Sequence, residues 1–252
     1  MALLEGKIAL VTGGGSGVGK SASLLFASEG AEVVVAGRNI GNGQRTAREI
    51  ADAGGKSVFV RTDVSKQEDI AALILAIQER YGRLDCAFNC AGYDGEKKSL
   101  TELEVDEWDK IVDTNLKGTF LLLKYEIRQM LVRKAGTIVN MASVSGILGR
   151  PGRCAYNASR SGIINLTKTS AVENIKNGIR INCISPGGID TGIFRNMTGG
   201  DPDKRKDYEN SHPIGRIARP GEIAEAALWL CSEKSSFVVG HNLVVDGGLT
   251  LI

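Results

Sequence analysis

The stretch AYNASRSG, from Ala155 to Gly162, places a tyrosine and an arginine four residues apart, and a serine precedes them in VNMASVSG. Positions i and i+4 share one face of a helix, so the guanidinium of Arg160 would lie beside the phenol of Tyr156. A free phenol titrates near ~10 and trades protons around neutrality only where nearby positive charge favours its anion. With Ser143 as a hydrogen-bond donor, the set suits a reaction that leaves negative charge on a carbonyl-derived oxygen, as hydride transfer does. Arginine keeps the charge and the donors but does not readily release a proton, because its pKa exceeds ~12. Lys168 cannot stand in, since it lies about 18 Å further along a helix at ~1.5 Å per residue.

A hydride needs a carrier. The first apolar run ends in VTGGGSGVGK, Val11 to Lys20, at the entry to a helical stretch. There a phosphate could meet free backbone N–H groups and the helix dipole. The spacing is TGxxxGxG, on Thr12, Gly13, Gly17 and Gly19, rather than GxGxxG. A tight turn without a ligand needs glycine too, but a turn that follows a buried strand and begins a strand-helix series points to a dinucleotide. Ser16 and Val18 lie within the same loop. The second strand ends Ala36-Gly37-Arg38-Asn39, with no acid to hold a ribose diol. The planar fork of Arg38 matches a 2′-phosphate, which favours NADP over NAD. Ser16 is not the second basic residue that would strengthen this preference, and the bland alternative for Arg38 is a surface arginine.

These residues need a frame to hold them. Runs rich in valine and isoleucine (KIALVT, AEVVVAG, SVFVRTD, LDCAFN, GTIVNM, GIRINCIS, HNLVVDG) alternate with helical stretches such as Ser16 to Ser28, Gln44 to Ala53 and Glu68 to Tyr81. Strands apolar on nearly every residue are buried on both faces. The expectation is a single α/β domain over residues 1–252, a Rossmann-like doubly wound parallel sheet of about seven strands with helices on both faces. A polar, Gly- and Pro-containing excursion at Thr198 to Pro213 reads as a mobile loop, and residues 190–215 as a lid on the substrate side.

Composition narrows the partners. The net charge is +2, with no basic run suited to nucleic acid. The N-terminus has no secretory pattern and no apolar run approaches the ~20 residues that cross a bilayer, so neither nucleic acid nor membrane is an expected partner. Five cysteines, without a CxxC pair or a histidine at ligand spacing, read as reduced core thiols in a cytoplasmic protein and give no metal site.

Taken in order, Thr12-Gly13 with Gly17 and Gly19, Asp63-Val64, Asn89-Cys90-Ala91-Gly92, Asn115, Ser143, Tyr156, Pro186-Gly187 and Asp246-Gly247-Gly248 resemble the short-chain dehydrogenase/reductase family from end to end. The resemblance implies that Asp63 and Val64 hold the adenine, and that Asn89, Ala91 and Gly92 line the ribose side. Pro186, Gly187, Ile189 and Thr191 would place the nicotinamide carboxamide. Asp63 could instead only cap a helix, and Asn89 only tie strands together. Asn115, Ser143, Tyr156 and residue 160 would form the catalytic set, with Tyr156 and Arg160 also touching cofactor. A homodimer or homotetramer would be built on helices near Val105 to Arg133 and Tyr156 to Lys176.

The family places a lysine at position 160. The departure leaves three readings: a working variant with shifted pH dependence, an impaired enzyme, or a silent cofactor-binding protein. The first leads because Asn115, Ser143, Tyr156 and the glycine loop are intact. The implied activity is that of an NADP-dependent carbonyl reductase or secondary-alcohol dehydrogenase on a small molecule. Tyr93, Val144, Ser145, Arg150, Arg153, Gly188, Phe194 and Met197 are the candidate substrate contacts. Arg150, Arg153 and Arg195 could attract an anionic carbonyl compound, although arginines on loop rims are more commonly only solvated. His212 and His241 lie outside the matched motifs and receive no role.

Overall fold

The computed structural model describes residues 2–252, without the side chains of Ile193, Asn196 and Met197. Seven parallel strands form one sheet in the order β3-β2-β1-β4-β5-β6-β7. They are β1 (Ile8–Thr12), β2 (Glu32–Gly37), β3 (Lys56–Arg61), β4 (Cys86–Asn89), β5 (Gly136–Met141), β6 (Ile179–Pro186) and β7 (Asn242–Val245). The chain winds outward from β1 to β3, returns to lay β4 against the other side of β1, and winds outward again to β7. The direction of winding therefore reverses between β1 and β4, where the carboxyl ends of the strands leave a crevice. Register there sets Thr12 beside Asn89, and Asn89 beside Asn140.

Both sheet faces are apolar because successive side chains point to opposite sides. Ala9, Val11, Val33 and Val35 face one side, against Val18, Ala22 and Phe26 of α1 (Gly17–Ser28) and Ile223, Ala227 and Leu228 of α9 (Pro220–Cys231). Ile8, Leu10, Val34 and Ala36 face the other, against Leu73, Ile74 and Ile77 of α3 (Gln67–Tyr81), and against α5 (Gly118–Leu131) and α6 (Cys154–Asn174). Helix α2 (Ile40–Asp52) starts four residues before the apolar spacing suggested, because the Asn39 side chain accepts from the Asn42 N–H at 2.9 Å and caps it.

Two departures from expectation bear on the site. The helix expected from Val105 to Arg133 is α4 (Val105–Val112) and α5 joined by a π-helical turn at Asp113–Lys117, which contains Asn115. Such a turn inserts a residue and re-aims the side chains around it. The polar excursion is not irregular throughout. It follows α7 (Gly192–Thr198) and contains α8 (Pro202–Asn210), which Asp201 caps through bonds from the N–H groups of Asp203 and Lys204, with proline in the first turn. Gly-Gly-Asp-Pro resembles a turn because its last two residues are also a helix-start signal. Among the described residues no helix is long and apolar enough to cross a membrane, and no cluster of His, Cys, Asp or Glu could hold a metal.

Candidate active site

The reversal between β1 and β4 opens into a cleft of about 490 Å³. Its first wall is the turn from β1 into α1. Gly13 and Gly17 take φ values of 67° and 51°, which favour glycine. A Cβ at Gly13 would lie 3.1 Å from the Ala91 backbone, and one at Gly19 would lie 2.3 Å from the Gly13 carbonyl oxygen. Glycine thus lets the turn, the helix and the end of β4 close on each other. Ser16 makes no side-chain cap and the first turn of α1 holds no acid, so its dipole meets the cleft without a protein counter-charge. That cradle fits a dinucleotide pyrophosphate. Thr12 sits behind it, its Oγ1 accepting from the Cys90 and Ala91 N–H groups at 3.1 and 3.2 Å.

Opposite lie Ser143, Tyr156 and Arg160, all on the cleft wall. Ser143 lies two residues beyond the end of β5, and its Oγ accepts from the Ser145 N–H at 3.1 Å. Arg160 is 5% exposed, with its Cζ 4.9 Å from the centroid of the Tyr156 ring. Its Nη1 donates to the Met141 carbonyl at 2.6 Å, while Nε is buried without a partner. Nη2 is wedged against Gly92, where a Cβ would come within 2.5 Å of it. No carboxylate lies within ion-pair distance of this guanidinium among the described residues. A buried cation without a counter-ion costs free energy, and such groups gather at functional sites. The same charge works against burial at the neighbouring Cys90, whose thiol burial nonetheless pushes up to about 12.

Asn115 does not line the cleft. Fully buried in the π-helical turn, it accepts from the Tyr93 N–H at 2.8 Å and donates to the Tyr93 carbonyl at 2.8 Å and to Ser159 Oγ at 3.3 Å. Ser159 Oγ in turn donates to the Tyr156 carbonyl at 2.8 Å. Asn115 therefore ties the segment after β4 to the helix that carries Tyr156 and Arg160.

Of the expected substrate contacts, Val144, Ser145, Arg150, Arg153, Gly188 and Phe194 line the cleft. Tyr93 is not among the residues of the wall: its hydroxyl donates to Glu107 at 2.8 Å and accepts from Lys110 at 2.9 Å. The Met197 expectation lies outside the described residues, and Arg195 is exposed on α7 away from the wall. Pro186, Gly187, Ile189 and Thr191 line the cleft, as do Ser16, Val18, Ala91 and Gly92.

Arg38, Asp63, Val64 and Asn89, expected around the adenosine, lie outside this cleft. Arg38 is exposed beyond β2. Burial alone would raise the Asp63 carboxyl, but bonds from Ser65 and the nearby Arg38 and Lys66 charges hold it below its ordinary value. Asp63 accepts from the Ser65 N–H and hydroxyl at 3.1 and 2.8 Å, forming the turn into α3. Val64 packs with Ile70, Leu121 and Leu122. Asn89 ties strands, donating to Asn140 and to Glu126 at 3.0 Å each.

Sequence reasoning missed Asp94, Lys97 and Tyr208 on the wall, and His212 behind it. His212 is buried, with Nε2 accepting from the Gly188 N–H at 3.0 Å and Nδ1 2.9 Å from the Tyr208 carbonyl. These contacts fix the proton on Nδ1. No local spacing announces them, because they join the turn after β6 to the end of α8.

Comparison with known proteins agrees with this architecture. The family model described as enoyl-(acyl carrier protein) reductase matches residues 13–250. A short-chain dehydrogenase/reductase of Aspergillus oryzae, astE, is 40% identical, over 99% of this chain and 97% of its own. The chain belongs to the short-chain dehydrogenase/reductase family. The cis-4-hydroxycyclohexanecarboxylate dehydrogenase of Sinomonas cyclohexanicum is 38% identical over 98% of this chain and 97% of its own. The crystal structure of levodione reductase superposes with a TM-score of 0.96 at 32% identity, covering 98% of this chain and 99% of that one. As a member of the family, the protein is an oxidoreductase that interconverts alcohols and carbonyl compounds with a nicotinamide cofactor.

Proposed function

We propose that the protein is an NADP-preferring reductase or dehydrogenase of ketones, aldehydes and secondary alcohols, with Tyr156 as general acid and base and Arg160 as a working replacement for the family's lysine. The observation that carries this reading is the buried Arg160 guanidinium beside the Tyr156 ring, held by the Met141 carbonyl and without a carboxylate partner among the described residues. Held there, it sets a fixed positive charge beside the reacting phenol without needing to give up a proton. Ser143 steadies the substrate oxygen, and Asn115 acts as a positioning residue through Tyr93 and Ser159. The turn of Gly13, Gly17 and Gly19 would hold the pyrophosphate, Pro186, Gly187, Ile189 and Thr191 the nicotinamide end, and Arg38 the 2′-phosphate. Bound there, the cofactor supplies or accepts the hydride. The similarity to a dehydrogenase of a hydroxylated ring acid supports a cyclic secondary alcohol as one substrate. Exposed Trp108, Phe120 and Val172 on α4, α5 and α6 support a homodimer or homotetramer built on those helices. Free cysteines suit the cytoplasm.

The test follows NADPH and NADH absorbance with a panel of ketones and aldehydes, for the parent, Tyr156→Phe, Arg160→Lys and Arg38→Asp. The parent turns over. Tyr156→Phe loses roughly 10²–10⁴-fold in kcat, the usual worth of general acid-base catalysis, and Arg38→Asp reverses the preference for NADPH. Activity confined to Arg160→Lys would refute a working arginine.

A further inference from the structure

Five charged residues line the cleft: Asp94, Lys97, Arg150, Arg153 and Arg160. Two of them cancel, because buried Arg153 is ion-paired with Asp94. Arg160 is held beneath Tyr156 by the Met141 carbonyl. Lys97, at the exposed rim, and Arg150 remain, and neither has a carboxylate within ion-pair distance among the described residues. The contrast with Arg205 is instructive. It also packs on a lid aromatic, 5.9 Å from the Phe194 centroid, but Asp190 and Glu209 compensate it at 3.1 and 2.9 Å.

Arg150 is half-buried and oriented rather than loose. Its Cζ lies 5.7 Å from the centroid of the Tyr208 ring, and Nη1 donates to the Tyr208 hydroxyl at 3.2 Å. Tyr208 is itself braced edge-on against Phe194, with centroids 5.2 Å apart. A guanidinium carries five N–H donors in a rigid fork, and this contact uses one. The cleft thus joins an apolar aromatic flank to a positioned, uncompensated cation, and such a fork matches a carboxylate in two-point contact.

We propose that Arg150 is a specificity-determining residue that receives a carboxylate on the substrate, so that the cleft takes anionic hydroxy or oxo compounds with an apolar body. Arg153 and Arg195 do not share this role, the first because Asp94 neutralises it and the second because it lies off the wall. The proposal rests on the reading of Tyr156 as the proton carrier, and the test separates the two.

The probes are 4-oxocyclohexanecarboxylate and its methyl ester, which share a ring and a ketone but differ in charge. The parent reduces the acid with kcat/KM at least ~10-fold above the ester, in line with a charged hydrogen bond. Arg150→Leu loses that advantage through KM and leaves the ester within about 3-fold, the ester being blind to the guanidinium charge. Arg150→Lys, with charge but no fork, falls between. Equal kcat/KM for acid and ester in the parent, or an equal loss of both in Arg150→Leu, overturns the proposal. If the parent reduces neither ketone, the catalytic reading fails on its own. Calorimetry with cyclohexanecarboxylate and NADPH then decides: binding by the parent that Arg150→Leu loses supports the anion site, and absence of binding by the parent overturns it.

Discussion

Replacing Glu126 by glutamine should remove a pH dependence of folding that this buried acid creates. Glu126 on α5 is 0% exposed. It faces Asn89 of β4, whose amide donates to it at 3.0 Å and also to Asn140. Its Oε1 and the Asn89 Oδ1 are both buried without partners, and no cation pairs with it among the described residues. Burial raises the carboxyl from 4.5 to about 7, against the lowering effect of the Asn89 bond. The sign follows: the folded chain holds this proton more tightly than the unfolded one, so the stability is fully present below 4.5 and is lost as pH rises to about 7. At ~1.36 kcal/mol per tenfold change in proton affinity, the full loss is about 3 kcal/mol, of which roughly 2 kcal/mol falls between pH 5.5 and 8. Urea unfolding of parent and Glu126→Gln across that range isolates the effect, because every other titrating group cancels in the difference. Glu126→Gln should gain on the parent as pH rises, by roughly 2 kcal/mol over the range. A difference that stays flat with pH would refute the assignment of a buried, protonated acid.

Two further substitutions probe the cleft. Gly92→Ala would set a Cβ 2.5 Å from Arg160 Nη2 and 3.3 Å from Asn115 Oδ1, so chemical unfolding should register a loss of roughly 1–3 kcal/mol. The loss should be smaller in an Arg160→Lys background, where Nη2 is gone, and equal losses would show that the guanidinium is not the obstacle. His212→Ala strands the Gly188 N–H, while the Tyr208 carbonyl keeps its bond from the Ser211 hydroxyl at 2.7 Å, so the substitution should cost roughly 1–3 kcal/mol for the one group orphaned. It should also raise KM for substrate, because Gly188 and Tyr208 both line the cleft. An unchanged KM would mean that His212 braces the fold alone.

The fold was legible because its signals are local. Apolar runs two-sided enough to demand a parallel sheet, and a glycine turn after the first of them, define seven strands and the place where a ligand enters. What failed also failed locally. The π-helical turn at Asp113–Lys117 leaves no mark in side-chain periodicity, because one inserted residue shifts the phase of an amphipathic stripe no more than ordinary irregularity does. Helix α8 was hidden because Asp201 and Pro202 are equally at home in a turn and at a helix start, and only the hydrogen bonds to Asp203 and Lys204 separate the two.

Within the site, motif order named Gly13, Gly17, Gly19, Ser143, Tyr156, Pro186 and Gly187, which line the wall, but not which polar groups would spend their valence on the protein itself. Tyr93 is consumed by Glu107 and Lys110, Arg153 by Asp94, and Asn115 by Tyr93 and Ser159. Subtraction of this kind leaves few groups free to act. Arg160 gains most from it: Met141 takes one nitrogen, Gly92 makes room for another, and among the described residues no carboxylate claims the charge. A lysine ammonium concentrates its charge on one mobile atom, whereas the fork of Arg160 is anchored at one end and faces the phenol from a fixed distance. On the proposed reading, arginine at this position supplies a fixed charge and donors but cannot readily pass a proton. If Tyr156 is the proton carrier proposed above, its proton finds its way to solvent by a route that does not run through residue 160.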